Sequence, residues 1–229
     1  YVAEKDQRLR WLTGFEGSAG ICVLVKERIG IFVDGRYTVQ AKNQTCPPIE
    51  SINWPKIKVT DWIMEVTNHG KIGFDPWLHS VDEIEQYKRS MENTEIILQA
   101  TENLVDIIWK DQPSAPTAKA FQYEDKFAGA TQSHKRKTLS KELKENGNSA
   151  AVITLPEGIA WLLNMRGGDV KHLPIVQAFA ILHSSNEVDI FVDKTKVENL
   201  AKHFGKGINI YNENKFLQHL RKLTGSVCI

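Results

Sequence analysis

Runs of apolar residues, separated by charged and small residues, divide the chain into short strands and amphipathic helices. The two apolar runs at 21–25 and 29–34 flank three charged residues, which predicts a β-hairpin. The other predicted strands are 71–75, 94–99, 150–155, 208–211 and 226–229, with a second hairpin at 178–193. The predicted helices are 36–43, 60–68, 80–91, 131–146, 194–205 and 213–224. This mixture of elements predicts an α/β fold.

A segment without periodicity separates two halves of this pattern. Residues 111–120 contain two prolines and several small residues, which is typical of a linker. The 229 residues, 41% of them hydrophobic, suffice for one large or two small domains. We therefore expect one domain at 1–122 and a second at 123–229.

The two halves resemble each other in sequence and in the order of their elements. The tetrapeptide Ile-Phe-Val-Asp ends the hairpin at 31–34 and again at 190–193, and a Trp-Leu pair precedes each hairpin. After each copy follow a helix, an irregular or strand segment, a second helix and a strand. The halves are therefore predicted to be copies of one structural unit.

The copies differ at their ends. The helix and strand predicted at 131–155 have no counterpart before residue 1, and those predicted at 80–99 have none after Ile229. We therefore expect the chain to be a piece of a longer protein, lacking the N-terminal part of the first domain and the C-terminal part of the second.

Charge and cysteine content limit the kinds of partner and location. The 29 Lys and Arg nearly balance the 28 Asp and Glu, so the net charge of +1 does not favour a nucleic-acid or membrane-surface partner. No apolar run approaches the roughly 18 residues of a membrane span. Cys22, Cys46 and Cys228 are scattered and odd in number, which favours a reduced, cytoplasmic protein without a disulfide framework.

Several short motifs invite catalytic or binding interpretations but have the wrong context. Gly14, Gly17 and Gly20 precede a strand, whereas a phosphate-binding loop follows a strand and opens a helix. We interpret these glycines as a structural turn. Ser18 lacks the spacing of a nucleophile elbow and also precedes a strand.

The basic residues and histidines of the chain are interpreted structurally as well. The seven histidines show no metal-binding spacing, and His79 is expected to be a surface or capping residue. Arg36 is expected to pair with a local carboxylate. The basic run at 134–137 lies on a helix that also carries glutamates, so we expect a solvated helix face. From the residues we therefore predict no catalytic residue and no metal ligand in this chain.

One segment is a better candidate for function. The connection between the Trp-Leu pair and the hairpin is seven residues longer in the second copy, and the extra length falls near 164–174. This segment concentrates Arg166, Asp169 and His172 beside two glycines. Polar insertions on a rigid scaffold are frequent functional sites.

Five separated motifs connect the chain to a known family. They are RLRWLTGFEGSAG (8–20), FVDGRYTVQA (32–41), GFDPWLHSVDE (73–83), NLVDIIWKDQP (103–113) and GIAWLLNMRGGDVKHLP (158–174). In this order they resemble the two N-terminal domains of three-domain cytosolic aminopeptidase P (Xaa-Pro aminopeptidase), in the creatinase/prolidase superfamily. The resemblance covers nearly the whole chain.

The resemblance implies two tandem creatinase N-terminal-like domains, each a mixed sheet flanked by helices, without the pita-bread catalytic domain. It implies a parent hydrolase that removes the residue before proline from peptides whose second residue is proline. The parent's two divalent ions, usually manganese, would lie in the missing domain. The resemblance also implies a cytoplasmic homodimer in which these domains shape substrate access. By resemblance, Arg166, Asp169 and His172 would shape the peptide-binding mouth; alternatively, Arg166 and Asp169 only brace the loop.

Two other functions stay open at this point. Some pita-bread proteins have lost their metal ligands and bind peptides or proteins, so the chain is alternatively a piece of a non-catalytic binding module. Hydrolysis of a small guanidino compound, as in creatinase, is disfavoured by the repeat, because creatinase has a single N-terminal domain. The sequence downstream of Ile229 would distinguish these functions.

Overall fold

The computed structural model describes residues 2–229, which form two compact units. Glu4–Ser114 form one, here called the N-terminal unit, and residues 115–229 with residues 2 and 3 form the other, the C-terminal unit. The segment 112–120 contains no helix or strand. The exact domain boundary at 122 and 123 stays a prediction.

The N-terminal unit contains five strands and five short α-helices among the described residues. The strands are β1 (Ile21–Val25), β2 (Arg28–Val33), β3 (Ile49–Asn53), β4 (His69–Phe74) and β5 (Glu95–Ala100). The helices are α1 (Arg8–Thr13), α2 (Thr38–Gln44), α3 (Val59–Val66), α4 (Val81–Ser90) and α5 (Leu104–Ile108), preceded by a 3₁₀ turn at Glu4–Asp6.

These strands form two separate sheets that share a core. Strand β2 pairs antiparallel with β1 and parallel with β3, whereas β4 pairs in parallel with β5 alone. Helix α3 buries Trp62 edge-on against Phe32 of β2, with ring centroids 5.7 Å apart. The same apolar cluster includes Met91, next to the end of α4, and receives Ile72 of β4. One apolar layer therefore lies under both sheets.

The C-terminal unit carries the larger sheet. Its strands are β6 (Phe121–Gln122), β7 (Asn148–Ile153), β8 (Met165–Arg166), β9 (Phe179–His183), β10 (Val188–Phe191), β11 (Ile208–Tyr211) and β12 (Ser226–Cys228). Its helices are α6 (Asp125–Ala128), α7 (Gln132–Glu145), α8 (Pro156–Leu162), α9 (Lys194–Val197), α10 (Ala201–Phe204) and α11 (Phe216–Leu220). Two 3₁₀ turns lie at Glu198–Leu200 and Glu213–Lys215.

Five of these strands form one mixed sheet in the order β11-β10-β9-β7-β12. Strand β10 pairs antiparallel with β9 and parallel with β11, and β2 pairs in the same directions with β1 and β3. The two units therefore share a three-stranded core arrangement, as the internal repeat predicts. The expected α/β architecture of mixed sheets flanked by helices is confirmed.

The sequence signals for helix starts are present where expected. The Ser80 hydroxyl accepts a hydrogen bond from the Glu83 backbone N–H at 3.1 Å, and Thr131 does the same for His134 N–H at 3.1 Å. Such caps satisfy backbone donors that have no partner within the helix. No helix among residues 2–229 is both long and apolar enough to cross a bilayer.

Candidate functional site

The segment that sequence analysis selected forms a structured hairpin between α8 and β9. Strand β8, the pair Met165–Arg166, runs antiparallel to β6. A narrow turn follows, in which Val170 and Leu173 form an isolated antiparallel bridge. We call residues 164–177 the hairpin segment. Lys171 and His172 lie between these two bridge residues, at an exposed tip.

Arg166 braces the base of the hairpin segment. Its Nη1 donates to the backbone carbonyls of Ala160 and Met165, at 3.0 and 2.8 Å. Its guanidinium carbon lies 4.2 Å from the centre of the Tyr123 ring, a cation–π distance. The side chain thereby joins the end of α8 to the segment that follows β6.

Asp169 is buried and paired with Lys196 of α9. The Lys196 ammonium donates to Asp169 Oδ2 at 2.8 Å, and the Gln177 backbone N–H donates to the same oxygen at 2.7 Å. The two side chains are 0% and 3% exposed, so water screens this pair very little. Asp169 thus fixes both arms of the hairpin segment to α9.

The backbone of the hairpin segment is close-packed as well. A Cβ placed on Gly167 would come within 2.5 Å of Val176 Cγ2 and 2.8 Å of the Ile175 carbonyl oxygen. Only glycine allows this approach between the two arms. His172 has a φ of +67°, the left-handed conformation typical of a tight turn.

The three residues selected from the sequence therefore differ in their surroundings. Arg166 and Asp169 lie in the body of the hairpin segment and bind separate local partners, whereas the His172 side chain is exposed at its tip. The geometry has the bracing contacts that the second interpretation expects of Arg166 and Asp169. A role in substrate binding stays a prediction for all three.

A second polar cluster, not identified from the sequence, lies beside the hairpin segment. Asn164 is buried with a φ of +45°, and its Oδ1 accepts a hydrogen bond from Lys135 Nζ at 2.6 Å. Its Nδ2 donates to Asp125 Oδ1 and to the Ala130 carbonyl, both at 2.8 Å. Lys135 also donates to the Trp161 carbonyl at 3.0 Å. Helices α6, α7 and α8 are therefore joined through a single amide.

Burial changes the titration of Lys135. Removal from water lowers the pKa of its ammonium group, and the positive charge of Arg166 lowers it further. The ammonium also lies 4.5 Å from the centre of the Trp161 ring. The Lys135 ammonium group is therefore engaged in contacts within the protein.

The expectation of a solvated basic face at 134–137 is wrong for its two central residues. Lys135 and Arg136 are both buried. Arg136 donates to the backbone carbonyls of Asn186 and Gly207, at 2.8 and 3.3 Å, and to Gln132 Oε1 at 2.8 Å. The sequence signal fails because the acceptors on Asn186 and Gly207 are backbone atoms distant in the chain.

The glycine motif of the N-terminal unit is structural, as expected. Gly14 has a φ of +77° and ends α1, with its N–H donating to the Arg10 carbonyl at 2.7 Å. A Cβ on Gly17 would fall 2.1 Å from Cζ of the buried Phe15 ring. Ser18 and Tyr37 share a hydrogen bond of 2.6 Å between their hydroxyls, which lowers the pKa of the Tyr37 phenol.

The other single residues have local partners. Arg36 pairs with Asp34 at 2.7 Å, which confirms the expected local ion pair. His79 lies half-buried with Nδ1 2.9 Å from Glu83 Oε2, next to the cap residue Ser80. Among residues 2–229, no three His, Cys, Asp or Glu side chains are grouped so that they would hold a metal ion. The residues present here therefore do not fit a dinuclear metal site.

Comparison with known proteins gives two family matches that together span nearly the whole sequence. The Creatinase/Prolidase N-terminal domain family matches residues 1–107 and, in a second form, residues 111–228. Aminopeptidase P1 of Lotus japonicus is 35% identical over 88% of this chain and 31% of its own length. A probable Xaa-Pro aminopeptidase P of Laccaria bicolor is 30% identical over 98% of this chain and 36% of its own length.

A solved structure is similar over nearly the same range. It is the X-prolyl aminopeptidase of Caenorhabditis elegans, described as a cytosolic enzyme with a di-nuclear active site. The similarity has a TM-score of 0.90 with 29% identity and covers 96% of this chain but 37% of that one. This chain spans about a third of the length of the curated relatives named above.

Proposed function

The chain belongs to the creatinase/prolidase N-terminal domain family, and on that premise we propose that it is the N-terminal, non-catalytic part of a metal-dependent Xaa-Pro aminopeptidase. Such a hydrolase removes the N-terminal residue that precedes proline. The observation that carries the proposal is the similarity to the Caenorhabditis elegans X-prolyl aminopeptidase over 96% of this chain. That similarity covers 37% of the longer protein.

The chemistry belongs, in this proposal, to polypeptide outside these 229 residues. A dinuclear hydrolytic site needs several carboxylates and histidines converging on two ions, which polarise the carbonyl and activate water. The described residues of this chain offer no such group. The two ions, which we propose to be manganese, would therefore be held by a pita-bread domain that follows these domains. The protein would act in the cytoplasm.

These domains would act on substrate access rather than on bond cleavage. The exposed tip at Lys171 and His172 is held in place by the contacts of Arg166 and Asp169 and by the close packing of Gly167. A rigid projection of this kind limits the length of peptide that enters a neighbouring site. We propose that it forms part of the mouth for peptides with proline in second position, in a homodimer of the full-length protein.

A comparison of this chain with the full-length protein tests the proposal. Both are incubated with a tripeptide Xaa-Pro-Yaa and with the matched Xaa-Ala-Yaa, in the presence of Mn²⁺, and products are measured by mass spectrometry. We expect the full-length protein to cleave only the proline peptide and this chain to cleave neither. Cleavage by this chain, or tight stoichiometric Mn²⁺ binding by it, would overturn the proposal.

A binding measurement on the same full-length protein separates the peptidase from a binding module. A full-length protein that binds the proline peptide in calorimetry, yet neither hydrolyses it nor retains Mn²⁺, would exclude the peptidase. The access role has its own readout, since it predicts a lower kcat/KM for long peptides than for tripeptides.

A further inference from the structure

Two parallel strands of the N-terminal unit end beside each other and leave a groove at their carboxyl ends. Strands β4 and β5 are paired up to Phe74 and Ala100, their last residues. Side chains from 75–77 and 101–107, which follow these strands, line a groove of about 790 Å³. We call it the strand-end groove. The carboxyl ends of parallel strands are a frequent place for ligands in α/β proteins.

Two large apolar side chains are exposed in the strand-end groove. Trp77 is 61% exposed and Ile107 of α5 is 50% exposed, and Pro76 also contributes to the lining. Large apolar side chains that are exposed together on one surface indicate an interaction site. Tryptophan is also enriched among the residues that contribute most to protein–protein binding. The apolar lining therefore favours a protein partner.

The charge of the strand-end groove is acidic. Asp75, Glu102 and Asp106 line it, whereas no Lys or Arg of the described residues does. Asp106 already has a cation, because Arg8 Nε and Nη2 donate to its two oxygens at 2.7 and 2.9 Å. Among residues 2–229, neither Asp75 nor Glu102 has an ion-pair partner. These two carboxylates are therefore available to a cationic partner.

The Asp75 carboxylate is held in a fixed orientation. Its Oδ1 accepts a hydrogen bond from the Trp77 backbone N–H, and its Oδ2 accepts one from Asn103 Nδ2, both at 2.9 Å. Asn103 is fixed in turn, since its Oδ1 accepts from the Val105 backbone N–H at the start of α5. Each carboxylate oxygen can accept a second hydrogen bond. Asp75 can therefore receive two donors from one planar group.

A guanidinium group fits a carboxylate beside an aromatic ring. It donates to both carboxylate oxygens at once, and its flat face packs on an aromatic face. Arg28 makes this combination within the same unit. Its Nε and Nη2 donate to the two oxygens of Glu50 at 2.8 and 2.7 Å, and its Cζ lies 5.1 Å from the centre of the Trp62 ring. Asp75 and Trp77 offer the same two groups to a guanidinium from outside.

We propose that the strand-end groove binds an arginine-containing segment of another protein. The guanidinium pairs with Asp75 and packs on the exposed Trp77 ring, while an apolar side chain next to the arginine covers Ile107. Glu102 attracts a second basic residue of the segment. A small cation is a poorer fit, because it would leave Ile107 exposed. The inference does not depend on the proposed peptidase activity.

Fluorescence anisotropy with a synthetic peptide tests the proposal. The probe is fluorescein-labelled Gly-Arg-Leu-Leu-Arg-Gly-amide, whose blocked N-terminus and lack of proline prevent cleavage by an Xaa-Pro aminopeptidase. We expect saturable binding both to this chain and to the full-length protein, and binding at least about fivefold weaker when lysine replaces both arginines.

Three results of this titration would overturn the proposal. The first is no binding to the full-length protein, whatever the 229-residue chain binds. The second is equal binding of the lysine peptide, which would remove the guanidinium from the argument. The third is competition by acetyl-arginine-amide at the same concentration as the unlabelled peptide, which would indicate a site for a small cation.

Substitutions locate the binding on the strand-end groove. Trp77→Ala is expected to raise the dissociation constant about tenfold, whereas Trp77→Phe, which keeps an aromatic face, should stay within about threefold of the natural protein. Asp75→Asn and Glu102→Gln should each raise it about fivefold. Glu92→Gln changes an exposed acidic residue of the same unit outside the groove and is the control.

The exposed position of Glu102 keeps the test decisive if Asp75→Asn disturbs the start of α5. Melting temperatures within about 2 °C of the natural protein establish that a variant is folded. If folded Trp77→Ala and Glu102→Gln bind the peptide as tightly as Glu92→Gln does, the strand-end groove is not the binding site.

Discussion

The Lys196 ammonium lies 2.8 Å from the Asp169 carboxylate, and both side chains are almost completely removed from solvent. The residues are 27 positions apart, and the pair joins the hairpin segment to α9. Breaking a buried pair costs more than the pair contributes, because the remaining charge stays buried without its partner. Substitution of one partner alone should therefore lower the free energy of unfolding clearly.

Asp169→Ala is expected to destabilise the C-terminal unit by about 3–5 kcal/mol, because Lys196 would be left charged in an apolar environment. Urea unfolding followed by hydrogen exchange of peptides from residues 115–229, read by mass spectrometry, measures the loss in this unit. In the double variant Asp169→Leu with Lys196→Met, most of the stability should return. A double variant as unstable as the single one would argue against the ion pair as the cause.

Gly167→Ala is expected to cost about 1–3 kcal/mol, because its Cβ would collide with Val176 and with the Ile175 backbone. The adjacent Gly168→Ala is the matched control, since its Cβ would lie 3.5 Å from Ala118, an ordinary contact distance. Thermal unfolding of the two variants should therefore differ clearly. Similar melting temperatures would mean that the two arms of the hairpin segment can separate easily.

Asp189 of β10 is expected to contribute to acid sensitivity. Burial raises its pKa, but hydrogen bonds from Asn209, His183 and His219 outweigh burial and leave the pKa lowered. A lowered pKa stabilises the fold above the ordinary aspartate value of about 4, and this contribution is lost as the pH falls through the lower folded value.

The variant Asp189→Asn tests this directly. It should cost about 1–2 kcal/mol at pH 7, and its stability should fall less steeply than that of the natural protein below pH 4. Urea midpoints measured from pH 3 to pH 7 give both quantities. If the urea midpoints of the two proteins change in parallel with pH, Asp189 is not responsible for the loss of stability at low pH.

Cys22 is expected to be the slowest of the three cysteines to react with iodoacetamide. Burial raises the pKa of its thiol to about 11, so about one thiol in a thousand is ionised at pH 8. Cys46 and Cys228 are exposed. Peptide mapping after partial alkylation should show Cys22 modified at least about tenfold more slowly. Equal rates at all three positions would mean that β1 opens readily.

His172→Asn tests the proposed substrate mouth in the full-length protein. Asparagine tolerates the left-handed backbone at this position, so the fold should be preserved while the imidazole is removed. We expect KM for peptides longer than three residues to change about two- to fivefold with little change in kcat. Lys202→Ala, at an exposed position of α10, is the control. Unchanged KM for long peptides would remove His172 from the mouth.

Elements whose own residues determine where they begin and end could be predicted from the sequence. The hairpin β1–β2 follows from two apolar runs around charged residues, and α4 and α7 begin at the capping residues Ser80 and Thr131. Strand β3 is not predicted from the sequence, because the pattern Ile-Glu-Ser-Ile-Asn does not alternate regularly and the strand forms by parallel pairing with β2. Short helices are not predicted either, among them α8, which begins at Pro156.

The candidate site was likewise predictable in its residues but not in their partners. The polar, glycine-rich composition of 164–174 identified the hairpin segment, and the pattern of residue types there made Arg166 and Asp169 candidates. Their partners were not predictable, because Lys196 and Tyr123 lie far away in sequence. The burial of Lys135 is not predictable for the same reason, since its acceptors are the Trp161 carbonyl and the Asn164 amide.

Burial of ionisable groups also changes what an approaching molecule encounters. Lys135, Arg136 and Lys196 are buried on the basic side, and Asp169 and Asp189 on the acidic side. The buried set thus carries the formal +1 of the whole chain, which leaves an outer surface of balanced charge. A surface without net charge gives little long-range steering of a charged molecule, so association rates should depend little on ionic strength. We therefore expect selectivity in these domains to depend on shape and short-range contacts.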